Sequence, residues 1–197
     1  MKRIDPRQHR SIEKLHKAYL TLVREESPPL TIQMLCKEAN VTRPTFYKQF
    51  KDIAELQHHV HDTLLLKLKQ SLTIKNPKPL SELRQEERST YLETFFEHIF
   101  DNHDTYETLL IDHADATFLN GVKSVIHDYI DEGISYTNYS DRLRGDRSLL
   151  VSYVTGAYLE SILWWIQHRY NYTPQQMAKQ LIDLSIFGPY NLDESNE

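Results

Sequence analysis

Apolar residues recur at intervals of three and four along nearly the whole of this 197-residue chain. The first series is Ile12, Leu15, Tyr19, Leu22 and Val23, and comparable series follow almost to the last residues. Because an α-helix turns once in about 3.6 residues, this spacing gathers apolar side chains on one helical face. No segment shows the strict alternation of a half-buried strand, and no unit repeats at a fixed period. The sequence therefore predicts an all-α protein of about nine helices.

Four of these helices are predicted in the first third of the chain. The first spans about Pro6–Glu26 and is stopped by the Ser-Pro-Pro that follows it. Thr31 and Thr42 are of the residue type that caps helix N-termini, and they predict a short second helix and a third one over Arg43–Gln49. Asn40 lies between these two helices, where a tight turn needs a residue that tolerates the left-handed conformation.

The rest of the chain is also predicted to be mostly helical. Asp52 is the expected N-cap of a long fourth helix that ends near Leu72. The predicted elements after it are a break at Asn76–Pro79, an aromatic-rich helix from Ser81, shorter helices at Tyr106–Ile111 and Thr117–Glu132, a loop at Ile134–Asp146, and two closing helices, Arg147–Arg169 and Pro174–Phe187. The helix over Arg147–Arg169 is apolar nearly all round, which is typical of a helix that is buried on every side or forms half of an interface.

The composition conflicts with several classes of function. The chain has five glycines and none precedes Gly121. The sequence therefore contains neither the glycine-rich dinucleotide-binding motif nor the P-loop motif. A single cysteine, Cys36, cannot form an intramolecular disulfide, which suits a reducing compartment. The longest uninterrupted apolar stretch, Ile162–Ile166, is far shorter than the roughly 20 residues of a membrane span, and no secretory signal is visible. We therefore expect a cytoplasmic protein that does not cross a membrane.

The charge is distributed unevenly along the chain. The formal net charge is −5, but residues 1–51 carry +6 and residues 52–197 carry −11. A basic N-terminal part on an acidic body indicates attraction to a polyanion such as DNA. The alternative is a chance clustering of solvated charges.

Residues 30–60 show the pattern of a helix-turn-helix, in which the second short helix enters the major groove by its N-terminal residues. Thr42 offers a hydroxyl to a base edge or a phosphate, Arg43 a forked donor to guanine, and Pro44 an apolar contact to a thymine methyl. Tyr47 and Lys48, later on the same helix, can donate to phosphates. The alternative is that any compact three-helix domain has such helices and turns, with Tyr47 and Lys48 merely exposed.

The stretch Leu30–Leu56 resembles the DNA-binding domain of the TetR/AcrR family of transcriptional regulators over roughly residues 6–60. The specific segments are Glu38-Ala39-Asn40-Val41-Thr42, the core Thr45-Phe46-Tyr47-x-x-Phe50, and Glu55-Leu56. The resemblance implies base contacts at Thr42, Arg43 and Pro44, and a phosphate anchor at Tyr47 with Thr45 and Lys48 nearby. Thr31 and Lys51 are further expected phosphate contacts. The chain departs from the family pattern in having Asn40 where glycine is usual and Ile53 where a phosphate-binding lysine is usual.

The C-terminal part resembles the corresponding domain of a dihydroxyacetone-kinase-regulator-like TetR subgroup. The landmarks are Phe95-Phe96-x-His98-Ile99-Phe100-Asp101-Asn102, Phe118, Tyr153-Val154-x-Gly156-Ala157, Trp164-Trp165 and Thr173-Pro174-x-x-Met177-Ala178. The resemblance implies an all-α domain that senses a small molecule and dimerises through its last two long helices. The expected domains are residues 1–51, a connecting helix over 52–72, and residues 73–197.

Two sets of residues are expected to carry these functions. The aromatic residues assigned to a ligand pocket are Phe95, Phe96, Phe100, Phe118, Tyr153 and Tyr158; the alternative is that they form core and interface. The residues assigned to the dimer interface are Val154, Ala157, Ser161, Trp164, Trp165, Met177, Leu181 and Leu184.

The resulting hypothesis is a homodimeric DNA-binding regulator, a repressor that a small-molecule inducer releases from a palindromic operator, with no cofactor and no enzymatic activity. The alternative within the same fold is a co-activator or adaptor that acts through a protein partner. Metal sensing by His58, His61 and Asp62 lacks a second closely spaced ligand pair. A metal phosphohydrolase built on the doublets His61-Asp62 and His127-Asp128 conflicts with the position of the first doublet inside a helix beside the DNA-binding motif.

Overall fold

The computed structural model describes residues 6–25, 29–73, 89–136 and 145–189, and within these ranges it contains helices and no strand. The helices are α1 (Pro6–Arg24), α2 (Ile32–Glu38), α3 (Arg43–Gln49), α4 (Ile53–Ser71), α5 (Thr90–Asp101), α6 (His103–Glu107), a π-helical turn (Thr108–Asp112), α7 (Ala116–Tyr136), α8 (Arg147–Gln167) and α9 (Pro174–Phe187). The prediction of an all-α protein is confirmed. The expected break at Asn76–Pro79 and the helix start at Ser81 lie outside the described residues.

Local capping determines where the first helices begin. The hydroxyl of Thr31 accepts the backbone N–H of Met34, and that of Thr42 accepts the N–H of Thr45. The carboxylate of Asp52 accepts the N–H of Glu55 at 2.8 Å. Each bond satisfies a backbone donor that the first turn of a helix leaves without an internal partner. All three predicted N-caps are confirmed.

The first three helices and the start of α4 share one core, and we call residues 6–51 the head. Leu15, Leu35, Phe46 and Leu56 have no exposed surface, and Phe50 is 3% exposed. These side chains come from α1, α2, α4 and α3 with its C-cap Phe50, and α3 itself packs mainly against α1 and α2. Truncating a buried phenylalanine typically costs about 3–5 kcal/mol, because the transfer free energy is lost and a cavity remains.

Helix α4 belongs both to the head and to the bundle formed by α5–α9, which we call the body. Leu56 lies in the head core, while Leu64 and Leu68 are buried further along α4, which packs against α5 and α7. Gly121 of α7 allows a close approach, since a Cβ at this position would lie 2.4 Å from Cδ1 of Leu65. One rigid helix thus joins the two parts of the chain.

The body consists of two main helix pairs, α5 with α9 and α7 with α8. Its centre is aromatic, with Phe96 edge-on to Trp165 at 5.3 Å between ring centroids. The Trp165 indole N–H donates to the carbonyl of Tyr172 at 2.9 Å, so this buried polar group is satisfied.

The predicted loop over Ile134–Asp146 is wrong for its first three residues, because α7 continues to Tyr136. Ile130 is buried and Ile134 packs against the core, and these apolar contacts extend the helix beyond the point where the sequence becomes polar. Residues 137–144 of the predicted loop lie outside the described ranges.

Helix α8 is long and apolar enough to cross a bilayer by length and composition, and it is the one such helix among the described residues. Only 33% of the apolar stretch is buried inside the chain. One helix of this kind is weak evidence for a membrane span, since core and interface helices have the same composition.

Three histidines lie in environments that disfavour their charged form. Burial lowers the pKa of His16 to about 4, with further lowering by His59, Lys67 and His9. Burial also lowers the pKa values of His61 and His98. A base with a depressed pKa binds fewer protons in the folded chain than in the unfolded chain as the pH falls below its ordinary value of about 6.5.

We therefore predict that the free energy of unfolding falls as the pH is lowered from 7.5 to 5.5, because the unfolded chain takes up protons that the folded chain refuses. Urea denaturation followed by circular dichroism across this range measures the change. The variant His16→Gln should show a shallower fall than the wild type. A flat or rising profile in the wild type would contradict the assignment of these histidines as buried and neutral.

Candidate nucleic-acid interface

The turn between α2 and α3 contains the one non-glycine residue in the left-handed region among the described residues of the head. Asn40 has φ of 49°, and it occupies the position where the sequence predicted this conformation. The N–H of Val41 donates to the carbonyl of Cys36 at 3.0 Å, which closes the end of α2 and redirects the chain. The turn brings Thr42 to the start of α3 without an intervening loop.

One face of α3 is buried and fixes the rotation of the helix. Phe46 is fully buried and Phe50 is 3% exposed, with their rings 6.0 Å apart between centroids. Both side chains point into the head core, as the spacing of four residues predicts. The opposite face is therefore held towards solvent.

The N-terminal turn of α3 is open to solvent. Thr42, Arg43 and Pro44 are all exposed. Arg43 makes no ion pair with any residue that the structure describes, so its forked donor is available to an external acceptor. The Thr42 hydroxyl is engaged in the cap and lies 2.8 Å from the hydroxyl of Thr45, which leaves it fewer free hydrogen-bonding positions than Arg43 has.

The residues expected at phosphates surround this turn. Tyr47 is 58% exposed, Lys48 and Lys51 are exposed, and Thr45 is half-buried. Thr31 is exposed at the start of α2, where its hydroxyl already caps the helix. The structure therefore places all five side chains on the surface of the head, with three of them on α3 and Lys51 just after it.

Acidic side chains near this surface are held by backbone groups. The carboxylate of Glu55 accepts the N–H of Lys51 at 2.6 Å, and Asp52 caps α4. Ile53, where the family pattern usually has lysine, is half-buried and packs against the core. The start of α4 thus presents an apolar side chain and two engaged carboxylates in place of a lysine ammonium group.

Two contacts that support α3 were not predicted from the sequence. The side-chain amide of Gln8 in α1 donates to that of Gln49, the last residue of α3, at 2.9 Å. His16 of α1 and His59 of α4 share a hydrogen bond at 2.8 Å, and the His59 ring contacts Phe50 edge-on at 5.4 Å. These partners are 41 and 43 residues apart, so no local pattern reveals them.

The residues assigned to an interface divide into two groups. Those with outward surface are Val154, Ala157, Ser161, Trp164 and Leu184. Trp165, Met177 and Leu181 are 0%, 4% and 3% exposed, and they lie in the core of this chain, where they have almost no surface to give a partner. Leu149 and Phe187, which the sequence analysis did not select, are 68% and 60% exposed on the same two helices.

The residues assigned to a ligand pocket differ in their burial. Phe95, Phe96 and Phe118 are at most 1% exposed and pack into the body core. Tyr158 is buried, and its hydroxyl accepts a hydrogen bond from Ser185 at 3.2 Å. Phe100 is 42% exposed beside Trp165, and Tyr153 is 69% exposed on the outer face of α8. The first four of these side chains are thus buried and the last two are exposed.

In the described part of the chain, no group of three or more histidine, cysteine, aspartate or glutamate side chains lies close enough to hold a metal ion. His61 is 4% exposed and packs against the Phe118 ring at 5.2 Å between centroids. Asp62, beside it in the sequence, is exposed. The two residues of this doublet therefore point to different surroundings.

Comparison with solved structures identifies the fold. A TetR transcriptional regulator from Streptococcus agalactiae 2603V is 20% identical, with a TM-score of 0.64 over 91% of this chain and 95% of that chain. A TetR-family regulator from Streptomyces coelicolor is 16% identical, with a TM-score of 0.63 over 90% and 79%. FadR from Bacillus subtilis, solved in complex with stearoyl-CoA, is 13% identical, with a TM-score of 0.62 over 90% and 99%. At these identities the likeness shows the shared fold alone.

Comparison of the sequence itself gives the family. No curated protein sequence gives a match. The family model TetR_C_8, which describes the C-terminal region of transcriptional regulators, matches residues 86–186, just over half of the 197 residues. The matched region covers most of the body, and the head carries the helix-turn-helix described above. The chain therefore belongs to the TetR family of transcriptional regulators.

Proposed function

We propose that this protein is a homodimeric repressor that binds a palindromic DNA operator through its head and is released by a small-molecule ligand. The observation that carries the proposal is the exposed N-terminal turn of α3, held outward by the burial of Phe46 and Phe50 in a part of the chain that carries +6. A basic surface is attracted to the phosphate backbone, and an exposed helix start fits the major groove. An operator-bound repressor acts where the DNA is, so we place it in the cytoplasm.

Contacts to DNA follow from the chemistry of each exposed side chain. Arg43 is the strongest candidate for base recognition, since its guanidinium is unpaired among the described residues and matches guanine with two hydrogen bonds. Pro44 and Thr42 supply an apolar contact and a hydroxyl beside it. The side chains proposed to bind phosphates, which set the docking register without reading sequence, are Thr31, Thr45, Tyr47, Lys48 and Lys51.

Dimerisation is supported by the outer face of α8 and α9. Leu149 and Tyr153 are 68% and 69% exposed, and Trp164 and Leu184 continue the apolar surface at 38% and 49%. An apolar surface of this kind on a soluble chain marks a site of association. Two-fold symmetry then presents two α3 helices to half-sites about 34–36 Å apart on one face of the DNA.

Ligand release requires that the ligand prefer a dimer with a different spacing of the heads. Helix α4 is the natural lever, because its residues lie in the head core and the body core at once. The Bacillus subtilis FadR structure holds stearoyl-CoA, so a protein with this fold does bind a small molecule. On this basis we propose a ligand-responsive regulator.

The second candidate is an adaptor of the same fold that acts mainly through a protein partner. The observation that favours it is Ile53, which is half-buried where a lysine would reach a phosphate. This substitution removes one backbone contact and leaves the others in place. Tight, salt-sensitive binding to a palindrome upstream of the protein's own gene would favour the repressor over the adaptor.

We predict that Arg43→Ala loses about 1–3 kcal/mol of discrimination between operator and scrambled duplex, because one base-reading side chain is removed. Tyr47→Phe should weaken binding to both duplexes alike, by roughly 1 kcal/mol, because a phosphate hydrogen bond is lost. Fluorescence anisotropy with duplexes that tile the DNA upstream of the gene, at several salt concentrations, measures both effects.

The matched control for these variants is Lys123→Ala, since Lys123 is an exposed cation on α7 in the body. It should leave both affinities unchanged. Equal loss of affinity in Arg43→Ala and Lys123→Ala would show non-specific electrostatic attraction, and the α3 assignment would then fail.

We predict that Tyr153→Glu converts the dimer to a monomer, because a carboxylate on the outer face of α8 would have to be desolvated in the interface. Light scattering after size-exclusion chromatography measures the mass, and circular dichroism checks that the chain stays helical. Ser124→Glu, which adds the same charge to an exposed position of α7, is the control. A Tyr153→Glu protein that remains fully dimeric would place the interface elsewhere.

A further inference from the structure

A groove lies where the head meets the body, away from the α3 surface. Its walls are α1, α4 and the segment from the end of α5 through α6 to the π-helical turn. The cavity volume is about 790 Å³, which is within the range of about 300–1,000 Å³ typical of small-molecule sites. The groove is therefore large enough for a metabolite, and both parts of the protein line it.

The floor of the groove is apolar and its sides carry cations. Leu20, Val60 and Leu64 form apolar lining, with Val60 and Leu64 buried. Lys17 projects from α1 and Lys67 from α4. Neither lysine makes an ion pair with another described residue, so both ammonium groups are available to an anion.

Three carboxylates, those of Glu13, Glu25 and Asp104, also line the groove, and the first and the last of them are engaged. The Glu13 side chain lies 3.4 Å from His9, and Asp104 of α6 pairs with Arg24 at the end of α1 at 2.8 Å. The pair between Arg24 and Asp104 joins the head directly to the body. Its two side chains are 53% and 57% exposed, and an ion pair with that exposure contributes little, so another anion can replace its carboxylate.

We propose that this groove binds a small molecule that carries an oxyanion, a phosphate or a carboxylate, together with a short apolar part. The oxyanion lies between Lys17 and Lys67 and competes with Asp104 for the guanidinium of Arg24. The apolar part lies on Leu20, Val60 and Leu64. A guanidinium and two ammonium groups supply the charge-assisted hydrogen bonds that such an anion requires.

Binding at this position would loosen the contact between head and body. When the anion takes Arg24, Asp104 keeps only the neighbouring His103, 3.6 Å away, and the ion pair between α1 and α6 is broken. An effect of this loosening on DNA affinity rests on the proposed function, since it requires that the head bind DNA. Binding of the anion itself does not depend on DNA.

The test uses isothermal titration calorimetry on the whole chain without DNA, with inorganic phosphate and hexanoate as probes and chloride at the same ionic strength as the reference. We expect Lys67→Met to weaken binding of the favoured probe by about tenfold, the effect of losing one charge-assisted hydrogen bond. Phosphate favoured over hexanoate identifies a phosphorylated ligand, and the reverse order a carboxylate with an apolar chain.

Two further variants make the result specific. Lys69→Met removes a lysine two residues along the same helix that instead lies 3.9 Å from Asp128 of α7, and it should change affinity by no more than about twofold. Asp104→Asn should tighten binding, because it frees Arg24 without altering the shape of the groove. Circular dichroism confirms that each variant folds.

Several outcomes would overturn the proposal. The first is that neither probe binds more strongly than chloride. The second is that Lys67→Met and Lys69→Met lose affinity for the probe equally. The third is that Asp104→Asn binds the probe more weakly. A protein that binds duplex DNA but neither probe refutes the groove alone. A protein that binds a probe through Lys67 but no duplex refutes the proposed function alone.

Discussion

The orientation of α3 depends on one constraint, the burial of Phe46 and Phe50 against α1, α2 and α4. Phe46 within this seven-residue helix and Phe50 at its C-cap are both buried, so the helix cannot rotate without exposing a large apolar surface. Arg43 and Pro44 then point outward as a consequence of what their neighbours bury. Packing of the buried face thus decides which side chains of α3 are exposed. The left-handed conformation of Asn40 makes the tight turn that leads into this helix.

Packing also fixes the position of α4, because this helix supplies core residues to both the head and the body. Leu56 and Leu68 are both fully buried in different parts of the chain, so the helix cannot shift in one part without changing contacts in the other. Gly121 brings α7 against Leu65, and Gln57 donates to Asp115 at 2.8 Å, which ties the middle of α4 to the body. Coupling between the two parts therefore needs no flexible linker, only a change in the angle of one helix.

Features that depend on local chemistry were predictable from the sequence. Thr31, Thr42 and Asp52 cap helices within three residues of themselves, and the left-handed Asn40 is a property of one residue in one turn. The contact between Gln8 and Gln49 was not predictable, because two polar side chains 41 residues apart leave no periodic signal. The end of α7 was misplaced because tertiary contacts of Ile134, which local polarity does not show, extend the helix.

Helix α8 shows why an apolar pattern alone does not separate core from interface. Trp164 and Trp165 are adjacent in sequence, and their side chains point about 100° apart, so Trp165 fills the body core while Trp164 lies 38% exposed. Both were expected at the dimer interface. The buried positions Val151, Tyr158 and Ile162 lie on the face of Trp165. The exposed Leu149 and Tyr153 lie on the face of Trp164. A helix with two apolar faces needs two partners, and the described part of the chain supplies only one of them.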